Sequence, residues 1–239
     1  MKFLTDIFNL IFYQPLFNFL VLLYEIIPGN DFGVVIILLT LFSKIILFPL
    51  NLKSIKSQRA LSELEPRLKE IREKFKNDKK KIAEETFALY QEAKVNPFSG
   101  FLLIFIQLPI LFALYKTFNS FVAGQGLEYL YSFVADPGEI KLNFLMINLA
   151  RPNFFLAVLS AFLQFWQTKI QGVKIKTEAR GFHQDFSRML QKQMLYFFPF
   201  FTFLVLLKMP SAIALYLITS TIISIGQTIY VQKTGIKQN

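Results

Sequence analysis

The sequence predicts an all-α membrane protein: a bundle of five transmembrane helices with an N-terminal interfacial amphipathic helix and a cytoplasmic helical hairpin. Three observations predict this class. Hydrophobic residues make up 54% of the 239-residue chain, and the mean hydropathy of +0.43 is too high for a soluble domain. Windows of about 20 apolar residues recur, each long enough for a hydrocarbon core about 30 Å thick. A densely charged segment separates the first two windows.

The predicted elements follow these windows in chain order. Residues 1–30 are apolar but are interrupted by Asp6, Asn9 and Glu25, and Pro15 lacks a backbone donor. This pattern favours an amphipathic helix in the outer interface over a transmembrane span. The other elements are a first span at 31–52, the hairpin at 53–96, a second span at 97–121, an outer loop with one short helix at 122–152, a third span at 153–170, a cytoplasmic loop at 171–188, a fourth span at 189–208, a fifth span at 209–232 and a cytoplasmic tail at 233–239.

The basic residues predict the topology. Lysine and arginine are concentrated in the segments that join the first span to the second and the third to the fourth, and in the tail. The opposite side carries only Lys2, Lys116, Lys141, Arg151 and Lys208. The positive-inside rule therefore places the basic segments and the C-terminus in the cytoplasm. Because topology explains the net charge of +10, no nucleic-acid specificity needs to be invoked.

The charged segment 53–96 has the spacing of paired helices. Apolar residues recur at intervals of three and four, which is typical of a helix–helix seam. The seam residues are Leu61, Leu64, Leu68, Ile71 and Phe75, and Pro66 is expected to kink the first arm. The segment is far longer than a simple connection requires. We therefore favour a recruiting or gating role for this hairpin over that of a solvated spacer.

Several classes of chemistry lack the residues they need. The chain has no cysteine and one histidine, His183, which excludes thiolate chemistry and a histidine-based metal cluster. No carboxylate lies inside a predicted span, since Asp31 at the start of the first span is interfacial, and no phosphate-binding glycine loop or hydrolase motif is present. We predict a protein that is not an enzyme and that needs no cofactor or metal.

Lys44 is the exception in the apolar first span. A lysine in hydrocarbon costs roughly 3 kcal/mol on insertion scales, so its presence suggests a function. The alternative is that Lys44 extends its side chain to the nearer membrane surface and has no role. On this residue alone, both interpretations stay open.

Polar side chains share one helix face in three of the predicted spans, at steps of three and four residues. These faces are Thr40, Ser43 and Lys44 on the first span, Ser160, Gln164, Gln167 and Gln171 on the third, and Tyr216, Ser220, Ser224 and Gln227 on the fifth. Hydrogen bonds between helices are the ordinary explanation for such faces. Three of them, one with an unpaired lysine, favour a common water-filled groove instead. To this groove we assign Thr40, Ser43, Lys44, Gln107, Gln164, Gln167, Tyr216 and Ser220.

Several short motifs resemble the YidC/Oxa/Alb membrane insertase family. They are Leu39–Leu50 (LTLFSKIILFPL), Leu64–Pro66 (LEP), Lys94–Pro97 (KVNP), Ile106–Ile110 (IQLPI) and Pro210-Ser211 followed by Leu215-Tyr216. The similarity runs in order from about Tyr13 to Gln227, which is nearly the whole chain.

The resemblance implies a protein of the bacterial plasma membrane, similar to the short bacterial form of the family, that inserts newly made proteins into the bilayer. The family acts alone or beside the Sec translocon and hydrolyses no nucleotide. Its partners are nascent membrane proteins and lipids, with the Sec translocon, the ribosome and targeting factors as further candidates. Lys44 matches a groove residue that is usually arginine, and Tyr216 matches a substrate-contacting tyrosine. Ile213 and Leu217 depart from the family's usual glycine and tryptophan.

Two other function classes compete with insertion. A small-anion transporter or channel could also use a polar cavity that holds one cation, but the spans show no inverted repeat. A structural assembly factor that only packs against partner helices would not need water in the groove.

Overall fold

A computed structural model of the protein describes residues 2–96, 99–171 and 193–234, without the side chains of residues 2, 99–106, 193 and 194. His183 and nearly all of the predicted loop 171–188 lie outside the described residues.

The described residues form helices and two short strands. In chain order, the helices are α1 Lys2–Phe8, a π-helical turn Asn9–Tyr13, α2 Gln14–Ile26, α3 Phe32–Ile46, α4 Phe48–Glu63, α5 Glu65–Lys74, α6 Lys79–Glu92, α7 Ser99–Val122, a 3₁₀ turn Leu127–Tyr129, α8 Phe154–Ile170, a second π-helical turn Gln193–Phe197, α9 Phe198–Leu206 and α10 Ser211–Thr234. Two short antiparallel strands, β1 Asn143–Phe144 and β2 Ile147–Asn148, add a small sheet to the predicted all-α fold.

The N-terminal helices pack deeply against the bundle. Tyr13, Phe17 and Leu20 are fully buried, and the Tyr13 hydroxyl lies 2.9 Å from Ser120 Oγ of α7. Residues 3–26 are also long and apolar enough to cross a membrane. Their interfacial placement therefore stays a prediction.

The first predicted span is bent. α3 and α4 meet at an angle of 65°, and Pro49 stands in the first turn of α4, where its missing N–H costs no helical hydrogen bond. Asp31 begins α3 by accepting hydrogen bonds from the backbone N–H groups of Gly33 (2.8 Å) and Val34 (3.1 Å). The sequence predicted one span over 31–52, whereas the structure has a helix that turns sharply at Leu47.

Within the described residues, two helical stretches, Phe3–Ile26 and Ser211–Thr234, could each cross a membrane by length and composition, and the bent α3–α4 pair could supply a third. Residues 154–170 and 195–206 form shorter apolar helices. The count of five spans thus stays a prediction.

The order of the helices along the chain defines two ends of the bundle. The "loop end" holds residues 122–153 and the starts of α3, α8 and α10, and the "hairpin end" holds α5 and α6.

The main hydrophobic core gathers α10 with α2, α3, α7, α8 and α9. Phe32 of α3 meets the Phe118 ring of α7 edge to face, with 5.6 Å between ring centroids. Ala212, Ile213 and Ala214 in the first turn of α10 are almost completely buried. Small residues at this position let the neighbouring helices approach α10 closely.

The predicted outer loop is ordered by contacts with the helices. Asn18 donates to the carbonyl of Tyr129 (2.8 Å) and accepts from the backbone N–H of Tyr131 (2.7 Å). The N–H groups of Ser211 and Ala212 donate to Arg151 O and Leu149 O at 3.0 and 3.1 Å. These bonds satisfy backbone donors at the start of α10 that its own helix leaves unpaired.

Gly33 provides a test of this packing. Its Cα lies so close to the Phe144 ring of β1 that a Cβ would overlap the ring. We expect Gly33→Ala to lower the free energy of unfolding by about 1–3 kcal/mol, the usual cost of overpacking. The measurement is the midpoint of thermal unfolding in detergent.

Gly226→Ala is the matched control, because nothing lies within 4 Å of a Cβ at that position in α10. This change should be neutral or should stabilise the helix by up to about 1 kcal/mol. Equal midpoints for both variants would contradict the close contact between Gly33 and Phe144.

Candidate functional site

Lys44 belongs to α3, and its side chain, which is only 8% exposed, reaches towards α10. Its Nζ donates to Ser224 Oγ of α10 over 2.9 Å. Among the described residues, the ion pairs are Arg59–Glu63 and Arg67–Glu92, so no described carboxylate pairs with Lys44.

Ser224 is oriented to receive the lysine. Its hydroxyl donates to the carbonyl of Ser220 over 2.9 Å, so its lone pairs are left for Lys44 Nζ, which can only donate. The Thr228 hydroxyl donates in turn to Ser224 O over 2.9 Å.

The sequence prediction placed Ser224 on the polar face of the fifth span but did not include it among the groove residues. Its position eight residues after Tyr216, on the same face of a helix, was the signal that could have included it.

Thr40 and Ser43 do not extend the polar site towards α10. Thr40 Oγ1 donates to Ile36 O over 2.6 Å, and Ser43 Oγ donates to Leu39 O over 2.8 Å. Both hydroxyls are thus satisfied within α3, as is common for Ser and Thr in apolar helices. Thr40 is also completely buried.

A second polar contact joins α7 to α10. Gln107 Nε2 donates to the Tyr216 hydroxyl, so the structure brings these two predicted residues together. Tyr216 is 2% exposed. Its surface is covered in this conformation by the core that surrounds α10.

The predicted glutamines of α8 are not among the described hydrogen-bond partners of the lysine. No described hydrogen bond joins Gln164 or Gln167 to Lys44, and Gln164 Oε1 is buried without a described partner. Two polar links join α8 to α10: Ser160 Oγ donates to Ala214 O over 3.2 Å, and Gln232 Nε2 donates to Ile170 O over 2.9 Å. Ser220 is 5% exposed, and its carbonyl accepts from Ser224. The polar contacts that reach α10 from α3, α7 and α8 are therefore separate links.

The seam predicted for the charged segment is mostly half-buried. Leu68 of α5 is buried, Leu61, Leu64, Ile71 and Phe75 are half-buried, and Pro66 is exposed in the first turn of α5. Two parallel hydrogen bonds of 3.1 and 3.0 Å tie Arg67 to Glu92 of α6. The Arg67 guanidinium holds the pKa of Glu92 below its usual range, so this link is lost only when the pH falls through that lowered value.

A groove of about 670 Å³ runs along α6. Its floor includes Ile82, Phe87 and Val95, and its rim carries the basic residues Arg72 and Lys94. Phe87 is 64% exposed. An apolar floor beside positive charge is suited to a partner surface that is apolar and acidic.

Comparisons with known proteins cover nearly the whole chain. The family model described as 60Kd inner membrane protein matches residues 22–238. The chain is 35% identical over 206 residues to "Membrane protein insertase YidC" of Fusobacterium nucleatum, covering 86% of this chain and 88% of that protein. It is 31% identical to the protein of the same name from Oceanobacillus iheyensis, covering 95% and 84% of the two chains.

A solved structure also resembles the chain. It is titled "Active YidC insertase crystal structure with the first transmembrane domain resolved" and matches with a TM-score of 0.62 and 27% sequence identity. The match covers 93% of this chain and 46% of that one. The present chain therefore spans about half the length of that protein.

The contact between Lys44 and Ser224 can be tested by a double-mutant cycle. We expect Lys44→Met and Ser224→Ala to show a coupling of about 0.6–1.7 kcal/mol in the free energy of unfolding in detergent, as for hydrogen bonds between membrane helices. Thr219→Ala is the control, because Thr219 Oγ1 donates to Leu215 O in its own helix. Coupling of Lys44 to Thr219 as strong as to Ser224 would contradict a specific bond.

Proposed function

Because the chain belongs to the 60Kd inner membrane protein family and matches insertases over most of their length, its function is membrane protein insertion, and we propose that Lys44 is the residue on which this function depends. The family membership confirms the resemblance drawn from the sequence motifs. It also favours insertion over the alternative of a small-anion transporter or channel.

The observation that carries the proposal is a buried cation whose described partner is a neutral hydroxyl. Removing a lysine from water without an opposite charge costs several kcal/mol. Such a residue lowers the stability of the bundle, so a gain elsewhere must account for it. The gain we propose is attraction for the hydrophilic, often acidic, end of a protein that is being inserted.

The path of the client follows from this role. Its polar end is received at Lys44, beside Ser224 of α10, in a hydrophilic groove open to the cytoplasm and the lipid. Its apolar segment moves along α7 and α9, whose exposed rings include Phe112 (59%), Phe200 (59%) and Phe201 (51%). Transfer of the client into lipid supplies the driving force, at roughly 25 cal/mol per Å² of apolar surface.

The topology is part of the proposal. The chain is a bacterial membrane protein, and we place it across the plasma membrane several times, with five spans and a cytoplasmic C-terminus. Of the basic segments predicted to be cytoplasmic, the one that the structure describes, 53–96, leads into α5 and α6 at the hairpin end, which supports this orientation. Insertion by this route is not an enzymatic reaction, and the described residues include no cluster of three His, Cys, Asp or Glu that could hold a metal ion.

The pair α5–α6 is proposed to recruit partners for insertion. The support is the groove along α6, with its apolar floor and basic rim. The candidate partners are the ribosome, targeting factors and the Sec translocon, acting beside nascent membrane proteins and lipids.

Lys44→Ala should reduce insertion of a client into reconstituted vesicles roughly tenfold, the effect of losing one charged interaction of about 1.4 kcal/mol. Lys44→Arg should retain most activity, because it keeps the charge. Lys208→Ala is the matched control, since it removes an exposed lysine at the loop end. If Lys44→Ala inserted clients as well as the unchanged protein, Lys44 would have no part in the mechanism.

Phe87→Ser should reduce insertion during translation by up to roughly thirtyfold, because one anchoring aromatic residue can contribute about 2 kcal/mol to an interface. Phe133→Ser, which removes a 73%-exposed ring at the loop end, should insert clients normally. Normal activity of Phe87→Ser, and of a chain that lacks residues 65–92, would make α5 and α6 a spacer.

A further inference from the structure

The turn between β1 and β2 has an unusual sequence for its shape. The strand pairs Asn143–Asn148 and Phe144–Ile147 leave Leu145 and Met146 as a two-residue loop. Both have positive φ, at 44° and 66°. This is the type I′ hairpin turn, which strongly favours Asn-Gly because most side chains are strained at positive φ.

Neither residue is covered by the described parts of the chain to an extent that could offset this strain. Leu145 is 77% exposed and Met146 is 104% exposed. Two large apolar side chains thus project from a turn that small or polar residues would form more easily. Local strain of this kind suggests a function outside the folded chain.

The base of this turn is held firmly. Phe144 packs on Gly33 at the start of α3, and Leu149 N donates to Leu142 O over 2.7 Å. Ser211 Oγ donates to Asn148 O over 3.1 Å at the start of α10. The turn is therefore fixed at the loop end of the bundle, beside the first turns of two helices.

The surroundings of the turn resemble a membrane interface. α8 begins at the same end with Phe154 and Phe155, whose rings are 58% and 80% exposed. Lys141 and Arg151, which flank the two strands in sequence, are both exposed. Aromatic rings and basic side chains together are typical of the level at which a protein meets lipid headgroups.

We propose that Leu145 and Met146 form an anchor that inserts into the lipid leaflet at the loop end of the bundle. Burial of the two side chains in the acyl region offsets the strain of the turn. Through Gly33 and Ser211, the anchor holds the starts of α3 and α10 at a fixed depth. Under the proposed topology this is the outer leaflet, and the anchor is distinct from the groove at Lys44.

The test uses the natural absence of cysteine. Leu145→Cys and Met146→Cys are each labelled with an environment-sensitive fluorophore and reconstituted into vesicles of phosphatidylglycerol and phosphatidylethanolamine, with and without brominated acyl chains. Phe155→Cys provides the lipid-exposed reference. Lys80→Cys, in the exposed charged start of α6, provides the water-exposed reference.

Labels at 145 and 146 should emit at shorter wavelength than the label at 80, and bromine should quench them severalfold more strongly, close to the value at 155. Labels that match position 80 would overturn the anchor. Quenching that changes when the protein is diluted in lipid would assign the contact to a second copy of the chain and would also overturn it. No client is present, and both leaflets carry the quencher, so the result depends neither on insertion activity nor on sidedness.

Discussion

The packing of α10 against its neighbours is the constraint on which the rest of the structure depends. In a bilayer, polar groups must find partners inside the protein. The hydroxyls of Thr219, Ser224 and Thr228 do so by bonding to carbonyls one turn earlier in α10. Lys44 differs, because its described hydrogen bond goes to a side chain of another helix. Ser224 supplies that acceptor, so the packing of α10 on α3 also determines where the charge is held.

The loop end and the hairpin end serve this packing in different ways. At the loop end, Asn148, Leu149 and Arg151 accept the free donors at the start of α10, and the core is dense with aromatic rings. At the hairpin end, α3 turns by 65° into α4 shortly after Lys44. The lysine therefore stands close to the bend between α3 and α4, which is where a polypeptide arriving from water would first meet it under the proposed topology.

Spacing in the sequence was enough to identify the polar faces, because helical periodicity places residues on faces whatever their partners are. It predicted faces that include Lys44 and Tyr216, whereas Gln107 was assigned as the polar residue of the second span, and short motifs indicated the family to which the chain belongs. It could not indicate which polar groups are satisfied within their own helix, as Thr40 and Ser43 are, because Ser and Thr choose between local and distant partners only in the packed structure. The turn at Leu145 and Met146 was also beyond prediction, since its residues disfavour the conformation that they adopt.

Photo-cross-linking to a client tests the central claim most directly. A photoreactive amino acid at Ser224 would be placed beside Lys44, with Leu114 in the fully buried core as the control position, during insertion of a stalled nascent membrane protein. We expect cross-links from position 224 that decrease when the acidic residues at the client's polar end are made neutral, and none from position 114. Cross-links that ignore the client's charge, or that are absent at 224 while insertion proceeds, would contradict it.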